Sequence, residues 1–144
     1  MRNILILCIS LVLGACGTLQ VSPKDVASKA APIFGAEFIL LYVPSKGAIS
    51  DATFITLSKS SPSAMSHKLA SEISLAAKEP VNISAGGPNS SKTAAVIEGA
   101  LSINSGKLLP HLKLVFVGAE SDSEKVQQAV QEVGGEYYFA QSSM

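Results

Sequence analysis

The sequence predicts an α/β protein: a small three-layer sandwich with a mostly parallel sheet of four to five strands and helices on both faces. Two observations lead to this fold class. From residue 34 onward, short apolar segments alternate with segments of helical periodicity, and this alternation is typical of parallel sheets with crossover helices. Residues 38–43 are a continuous apolar run, which is expected of a strand that is covered on both faces.

The strands follow from runs of apolar or alternating residues, and the first three runs end at Pro or Gly. The first run ends at Pro44 and the third ends at Gly118. We expect strands at residues 34–43, 81–85, 112–117 and 136–140. Residues 54–57 are ambiguous: a second, antiparallel strand is favoured there, and an irregular lead-in is the alternative.

A first helix of the domain is predicted after Ser61 and Pro62, which are typical of a helix cap and a first helical position. Its apolar residues recur at helical spacing on one face, from Met65 to Ile73, and His67 falls on the opposite, solvent-facing side. Lys-Glu-Pro at residues 78–80 ends the helix, since Pro disfavours helical backbone at the residue before it.

Two further helices follow the second and third main strands. Asn89 or Ser90 can cap the first of them, at residues 92–103, and Gly99 within it suggests a close approach to a neighbouring element. The second contains Ser121 and, three residues later, Glu, the pattern of a capping box. Its apolar face ends at Gly134, which is expected to be a left-handed helix cap.

The first sixteen residues have the features of an export signal. Arg2 supplies the positive charge, and residues 4–12 form an apolar run far shorter than the roughly 20 residues that span a membrane. Leu-Gly-Ala-Cys at residues 13–16 resembles the lipobox of bacterial lipoproteins. The resemblance implies cleavage before Cys16 and acylation of its thiol and its new α-amine. An ordinary secretory signal or an uncleaved anchor is the alternative.

By resemblance to lipoproteins of Gram-negative bacteria, Gly17 after the lipidated cysteine implies an outer-membrane location, with the domain facing the periplasm. We therefore divide the chain into a removed signal peptide at residues 1–15, a lipidated tether at residues 16–33 and an α/β domain at residues 34–144.

The tether is expected to be a solvated linker. If it is fully extended, it reaches roughly 50 Å at about 3.3 Å per residue. The alternative is a short helix over residues 25–31 that is capped by Ser22, with Pro23 at its first position.

Composition excludes several classes of protein. Once the leader and Arg2 are removed, ten Lys face eleven Asp and Glu, a net charge of −1, so no nucleic-acid partner is expected. Cys8 leaves with the leader and Cys16 carries the lipid, which leaves no cysteine for a disulfide or a zinc site. His67 and His111 are not at ligand spacing, and we expect no metal and no cofactor.

Residues 86–93 resemble a degraded Walker A phosphate loop, because they follow a strand, open a helix and end in Lys-Thr. Ser91 replaces the second glycine of that motif, Pro88 removes an amide donor, and the leader implies a compartment where ATP is not normally supplied. A turn capped by Asn89 or Ser90 is therefore favoured. A site for another anion or a partner's carboxylate is the alternative, and nucleotide hydrolysis is the least favoured.

Acidic residues follow the next strand at Glu120, Asp122 and Glu124, where oxygens could hold a divalent cation. Acids in the first turn of a helix also complement its dipole, and this interpretation is favoured. Both loops follow strand ends on the edge where open parallel sheets bind ligands. The candidate ligand- or anion-binding residues are Gly86, Gly87, Asn89, Ser90, Ser91, Lys92, Gly118 and Ser121.

Our leading functional hypothesis is a non-enzymatic outer-membrane lipoprotein that binds an envelope protein, as an accessory of a secretion or pilus assembly. The alternative is a module that binds a small ligand or a peptidoglycan fragment at the strand-end edge. A small hydrolase is least favoured, since no G-x-S-x-G motif is present and a general base would have to be His67 or His111.

Overall fold

The computed structural model describes residues 21–142. The leader, the lipobox, the first tether residues and residues 143–144 lie outside this range. The described chain forms three layers, in which a four-stranded parallel sheet separates one helix from four others. The predicted α/β sandwich is therefore confirmed.

The helices are α1 (Pro23–Phe34), α2 (Ala48–Ser58), α3 (Ala64–Ser74), α4 (Ser90–Ile103) and α5 (Glu120–Glu132), with a short 3₁₀ turn at Leu75–Ala77. The strands are β1 (Ile39–Tyr42), β2 (Val81–Gly86), β3 (Leu112–Gly118) and β4 (Glu136–Gln141). They lie side by side in chain order, and each neighbouring pair is parallel.

This strand order places the connecting helices on one face of the sheet. Crossovers between parallel strands are right-handed, so a sheet that grows steadily in one direction carries its crossover helices on the same side. The larger core accordingly joins α3, α4 and α5 to the sheet around Ile97, Leu114 and Phe116, all fully buried. The opposite face needs a helix from outside the crossovers, and α1 covers it through Val26.

Helix α1 corrects the interpretation of residues up to 33 as a linker. Ser22 and Asp25 form a capping box, with Asp25 N donating to Ser22 Oγ at 3.2 Å and Ser22 N donating to Asp25 Oδ2 at 2.8 Å. Val26 and Ala30 are fully buried, and Ser84 Oγ in β2 donates to Val26 O at 2.8 Å. The helical alternative is correct, and Pro23–Phe34 is part of the folded domain.

Strand β1 is shorter than predicted and lies at an edge of the sheet, not inside it. It pairs with β2 alone, and Ile39 and Leu40 remain 37% and 40% exposed. The apolar run predicts a strand that is covered on both faces, but β1 is covered only in part. Tyr42 packs toward α1, and Leu41 packs toward the larger core.

Residues 54–57 belong to helix α2, so the predicted strand there is wrong. Thr53 and Thr56 donate their hydroxyls to the carbonyls four residues earlier, at 3.0 and 2.9 Å. A helix can therefore hold these β-branched residues with their hydroxyls satisfied, and Phe54 packs against the core.

The helix caps are confirmed in part. Asn89 caps α4, and Gly134 has the left-handed φ of 82° after α5. Ser63 caps α3 in place of the predicted Ser61, since the helix begins two residues later than predicted. Ser121 caps nothing: α5 begins at Glu120 and no side chain caps it, because the preceding turn is fixed by a bond from another loop.

Candidate functional site

The two predicted loops meet at the carboxyl edge of the sheet. Residues 86–91 begin at the last residue of β2, and residues 118–123 begin at the last residue of β3. We call these two segments the strand-end loops. Asn89 Oδ1 accepts a hydrogen bond from Lys92 N at 3.1 Å, which fixes the first turn of α4. The predicted juxtaposition of the two loops is thus present, and their side chains decide what it can do.

Lys92 is committed to a buried ion pair. Its Nζ donates to Asp51 Oδ1 and to Pro44 O, each at 2.9 Å, and lies 5.0 Å from the centre of the Phe54 ring. Its side chain is 6% exposed and that of Asp51 is 1% exposed. The ammonium therefore points toward the start of α2, and its charge is paired within the protein.

Asp51 is the central residue that sequence reasoning missed. Its carboxylate also accepts bonds from Lys46 N at 3.0 Å, from the Ser45 hydroxyl, and from Asn89 Nδ2 at 3.3 Å. The Lys46 amide, the Ser45 hydroxyl and Lys92 hold the pKa of Asp51 well below its ordinary value. The sequence separation of 41 residues between Asp51 and Lys92 gave no local signal.

The serines of the first loop bind the second loop. Ala119 N donates to Ser90 Oγ at 2.8 Å, and Ser91 Oγ donates to Asp122 Oδ1 at 3.1 Å. Asp122 also pairs with Lys125 at 3.1 Å. Burial raises the pKa of Asp122, but the hydrogen bonds from Ser90, Lys125 and Ser91 outweigh it and leave the pKa below its ordinary value.

The glycines of the strand-end loops are buried against protein atoms. A Cβ on Gly87 would overlap the carbonyl oxygen of Val43, and one on Gly118 would lie 2.6 Å from the Phe116 ring and from Ser90 Oγ. Gly86 is similarly close to Val26 and Val117, while Ser121 is exposed. The anion-binding role of these residues stays a prediction, and the contacts favour a structural role.

Within residues 21–142, no group of three or more carboxylate, imidazole or thiol side chains is placed to hold a metal ion. Both His67 and His111 are exposed. In the same part of the chain, no helix is both long and apolar enough to cross a membrane.

The open edge of the sheet at β1 is a second candidate. Val43 N donates to Gly86 O at 2.9 Å, and peptide groups in a parallel strand alternate between its two sides. The N–H and C=O groups of Leu40 and Tyr42 therefore point away from β2, and in the described sheet no strand lies on that side. We call this surface, with the exposed side chains of Ile39 and Leu40, the β1 edge.

An acidic groove adjoins the start of the β1 edge. It has a volume of about 390 Å³, and Phe38, Ile39 and Leu75 contribute apolar walls. Its charged lining is Glu37, Glu72 and Glu79. All three carboxylates are exposed, and none forms a salt bridge with another described residue. The groove thus presents uncompensated negative charge beside apolar surface.

Fold and surface define the class: a small three-layer α/β protein whose strand-end loops are bonded to each other and whose open features are a strand edge and grooves. Comparison of the chain with family models, with curated proteins and with solved structures finds no match. The functional argument therefore depends on the chain's own residues.

Proposed function

We propose that this chain is a lipid-anchored protein of the bacterial outer membrane whose α/β domain faces the periplasm and binds an envelope protein, as an accessory of a secretion or pilus assembly. The lipobox-like residues 13–16 and Gly17 support the anchor and its membrane. The strand-end loops use their polar groups internally, which favours a partner site elsewhere on the domain.

The β1 edge is the observation that carries partner binding. An open strand with unpaired peptide groups and apolar side chains is a template for an added strand, and β-augmentation is a common way to bind an extended peptide. Proteins usually protect such an edge with charges, but Ile39–Tyr42 contains none. The partner therefore contributes an extended segment that pairs with Leu40 and Tyr42.

The acidic groove specifies the chemistry of that segment. A strand added at the β1 edge passes the groove at one end, where a Lys or Arg side chain would meet Glu37, Glu72 and Glu79. Its apolar residues would alternate, so that one set covers Leu40. The partner segment is thus extended, apolar at alternate positions and basic at one end.

Substitution of Cys16 tests the anchor. Cys16→Ser removes the acylated thiol, so we expect loss of globomycin-sensitive processing, of lipid labelling and of membrane fractionation. A Cys16→Ser protein that still pellets with the membrane as a lipid-modified species would refute the anchor.

Site-specific photo-crosslinking tests the partner site. With the crosslinker at position 40 in the full-length, membrane-localised protein, we expect mass spectrometry to map the crosslink to one extended, basic segment of an envelope protein. Leu40→Asp should weaken co-purification of that protein by about ten-fold or more, since a buried Leu contributes about 1.5–3 kcal/mol.

Leu108 supplies the matched control, because it is 73% exposed and lies outside every strand. Leu108→Asp should leave co-purification unchanged. Equal losses in the two variants, or a crosslink that maps to a helical surface of the partner, would overturn the strand-addition proposal.

A further inference from the structure

A third open feature lies among the helices that cover the sheet on the side opposite α1. A groove of about 320 Å³ runs between the α2–α3 connection, α4 and α5. This volume is within the range of small-ligand sites, about 300–1,000 Å³. Ile55, Pro62 and Ala95 provide apolar walls. We call it the Glu98 groove.

The polar lining of the groove is rich in hydroxyls. Serines come from both sides, and they are Ser58, Ser60, Ser61, Ser91 and Ser102. The charged lining consists of Lys59 on the α2–α3 connection, Glu98 on α4 and Lys125 on α5. Because Ser58, Ser60 and Ser91 already donate their hydroxyl protons to protein oxygens, they can only accept hydrogen bonds from a ligand. A ligand in the groove would therefore meet both signs of charge and several hydroxyl oxygens that can accept.

Glu98 is half-buried and has no salt bridge or side-chain hydrogen bond with any described residue. Lys125 does not neutralise it, because the Lys125 ammonium lies 3.1 Å from Asp122. Burial raises the pKa of Glu98, and the pull of Lys125 does not offset this. A cation placed beside Glu98 would supply the missing partner.

Lys59 is the complementary group. It is exposed, lines the same groove, and makes no salt bridge among residues 21–142. Since Lys59 and Glu98 belong to different elements, the two charges face the groove from separate walls. A ligand that satisfies both must carry an ammonium and a carboxylate some distance apart.

We propose that the Glu98 groove binds a small zwitterion of the size of a short peptide, with its ammonium at Glu98, its carboxylate at Lys59 and its amide groups on the serine hydroxyls. This site is separate from the β1 edge and does not depend on the partner proposal. The small side chain of Ala95 on α4 keeps this part of the groove wall low.

The test uses alanyl-alanine as the probe, and its binding is followed by the backbone amide chemical shifts of the full-length protein. We expect saturable shifts in the α2–α3 connection and along the groove side of α4. N-acetyl-alanyl-alanine lacks the ammonium and alanyl-alaninamide lacks the carboxylate, so each should bind about ten-fold more weakly or worse.

Variants that remove one charge of the groove show where the ammonium and the carboxylate of the ligand bind. Glu98→Gln should weaken binding of the zwitterion about ten-fold and leave binding of the N-acetylated probe unchanged. Lys59→Gln should also weaken binding of the zwitterion about ten-fold, but it should leave binding of alanyl-alaninamide unchanged. Glu124→Gln and Lys107→Gln are exposed controls outside the groove and should bind as the wild type does.

Three results would overturn the proposal: no saturable shifts with alanyl-alanine, shifts confined to another surface, or equal affinities for the zwitterion and its blocked forms. Comparison of the L,L and D,D dipeptides then separates a protein-derived ligand from a peptidoglycan-derived one.

Discussion

The buried pair of Asp51 and Lys92 gives the sharpest test of how the strand-end loops work. The two variants are Asp51→Asn and Lys92→Met, each of which removes one charge and keeps the side chain's approximate shape. If the pair is structural, both variants lose stability. If Lys92 serves a ligand at the loop, Lys92→Met loses binding and little stability.

The contacts set the magnitudes. Removal of one partner of a buried ion pair costs about 3–5 kcal/mol, out of a total of about 5–15 kcal/mol for a domain. After Lys92→Met, Asp51 keeps its bonds from Ser45, Lys46 and Asn89, so the loss lies near the lower value. After Asp51→Asn, the ammonium keeps Pro44 O and the Phe54 ring but no opposite charge, so the loss lies near the upper value.

Urea unfolding of the two single variants and of the double variant measures these losses. The double variant should lose less than the sum of the single losses, since it leaves no unpaired charge buried. Single losses within about 0.5 kcal/mol, the range of ordinary surface changes, would refute the structural assignment and return Lys92 to the ligand hypothesis.

The pH dependence provides an independent check. The pKa of Asp51 is depressed in the folded protein, so its contribution is fully present above its ordinary pKa of about 4 and is lost as pH falls through the depressed value. Asp51→Asn lacks this contribution. The stability difference between wild type and Asp51→Asn should therefore narrow as pH is lowered below about 4.

Three further predictions concern other parts of the fold. Gly99→Val places a Cβ 2.6 Å from Ser66 Oγ, so the α3–α4 contact must open, and the melting curve should show a loss of about 1–3 kcal/mol. Val26→Ala should cost about 2 kcal/mol in urea unfolding, because Val26 is fully buried between α1 and the sheet, whereas the exposed control Lys24→Ala should cost nothing measurable. Glu98→Gln should be more stable than wild type at neutral pH and equal to it below about pH 4, since the raised pKa of Glu98 makes stability fall as pH rises through that window.

The parts of the fold predicted correctly are those whose signals are local. Strands β2 and β3 end at a glycine, and β4 begins directly after Gly135. All three differ from the prediction by a single added residue at the carboxyl end, and Asn89 caps α4 as expected. The prediction for α2 was wrong because a short run of apolar and β-branched residues is compatible with both a strand and a helix. The helix is selected by contacts with α4 and the core, which the sequence does not display.

The site was harder to predict because its chemistry is not local. The sequence pattern correctly predicted that the two strand-end loops lie together, since both come at the carboxyl ends of parallel strands. It could not show that Ser90 would accept from Ala119 N, or that Ser91 would bind Asp122, so groups counted as free for a ligand are already bonded. The predicted capping box failed for the same reason: the bond at Ala119 fixes the turn before α5.

The position of α1 also changes what the proposed anchor implies. Val21 is 9% exposed, and Tyr42 donates its hydroxyl to Val21 O at 2.9 Å, so the folded domain already includes residue 21. If Cys16 carries the lipid, four residues separate it from Val21. The five steps from Cys16 to Val21 span at most about 17 Å at about 3.3 Å per residue, in place of the roughly 50 Å of a free tether. The domain is then held against the membrane surface, and a partner that pairs with β1 must reach it there. This geometry favours a partner that is itself in or on the outer membrane over one that diffuses through the periplasm.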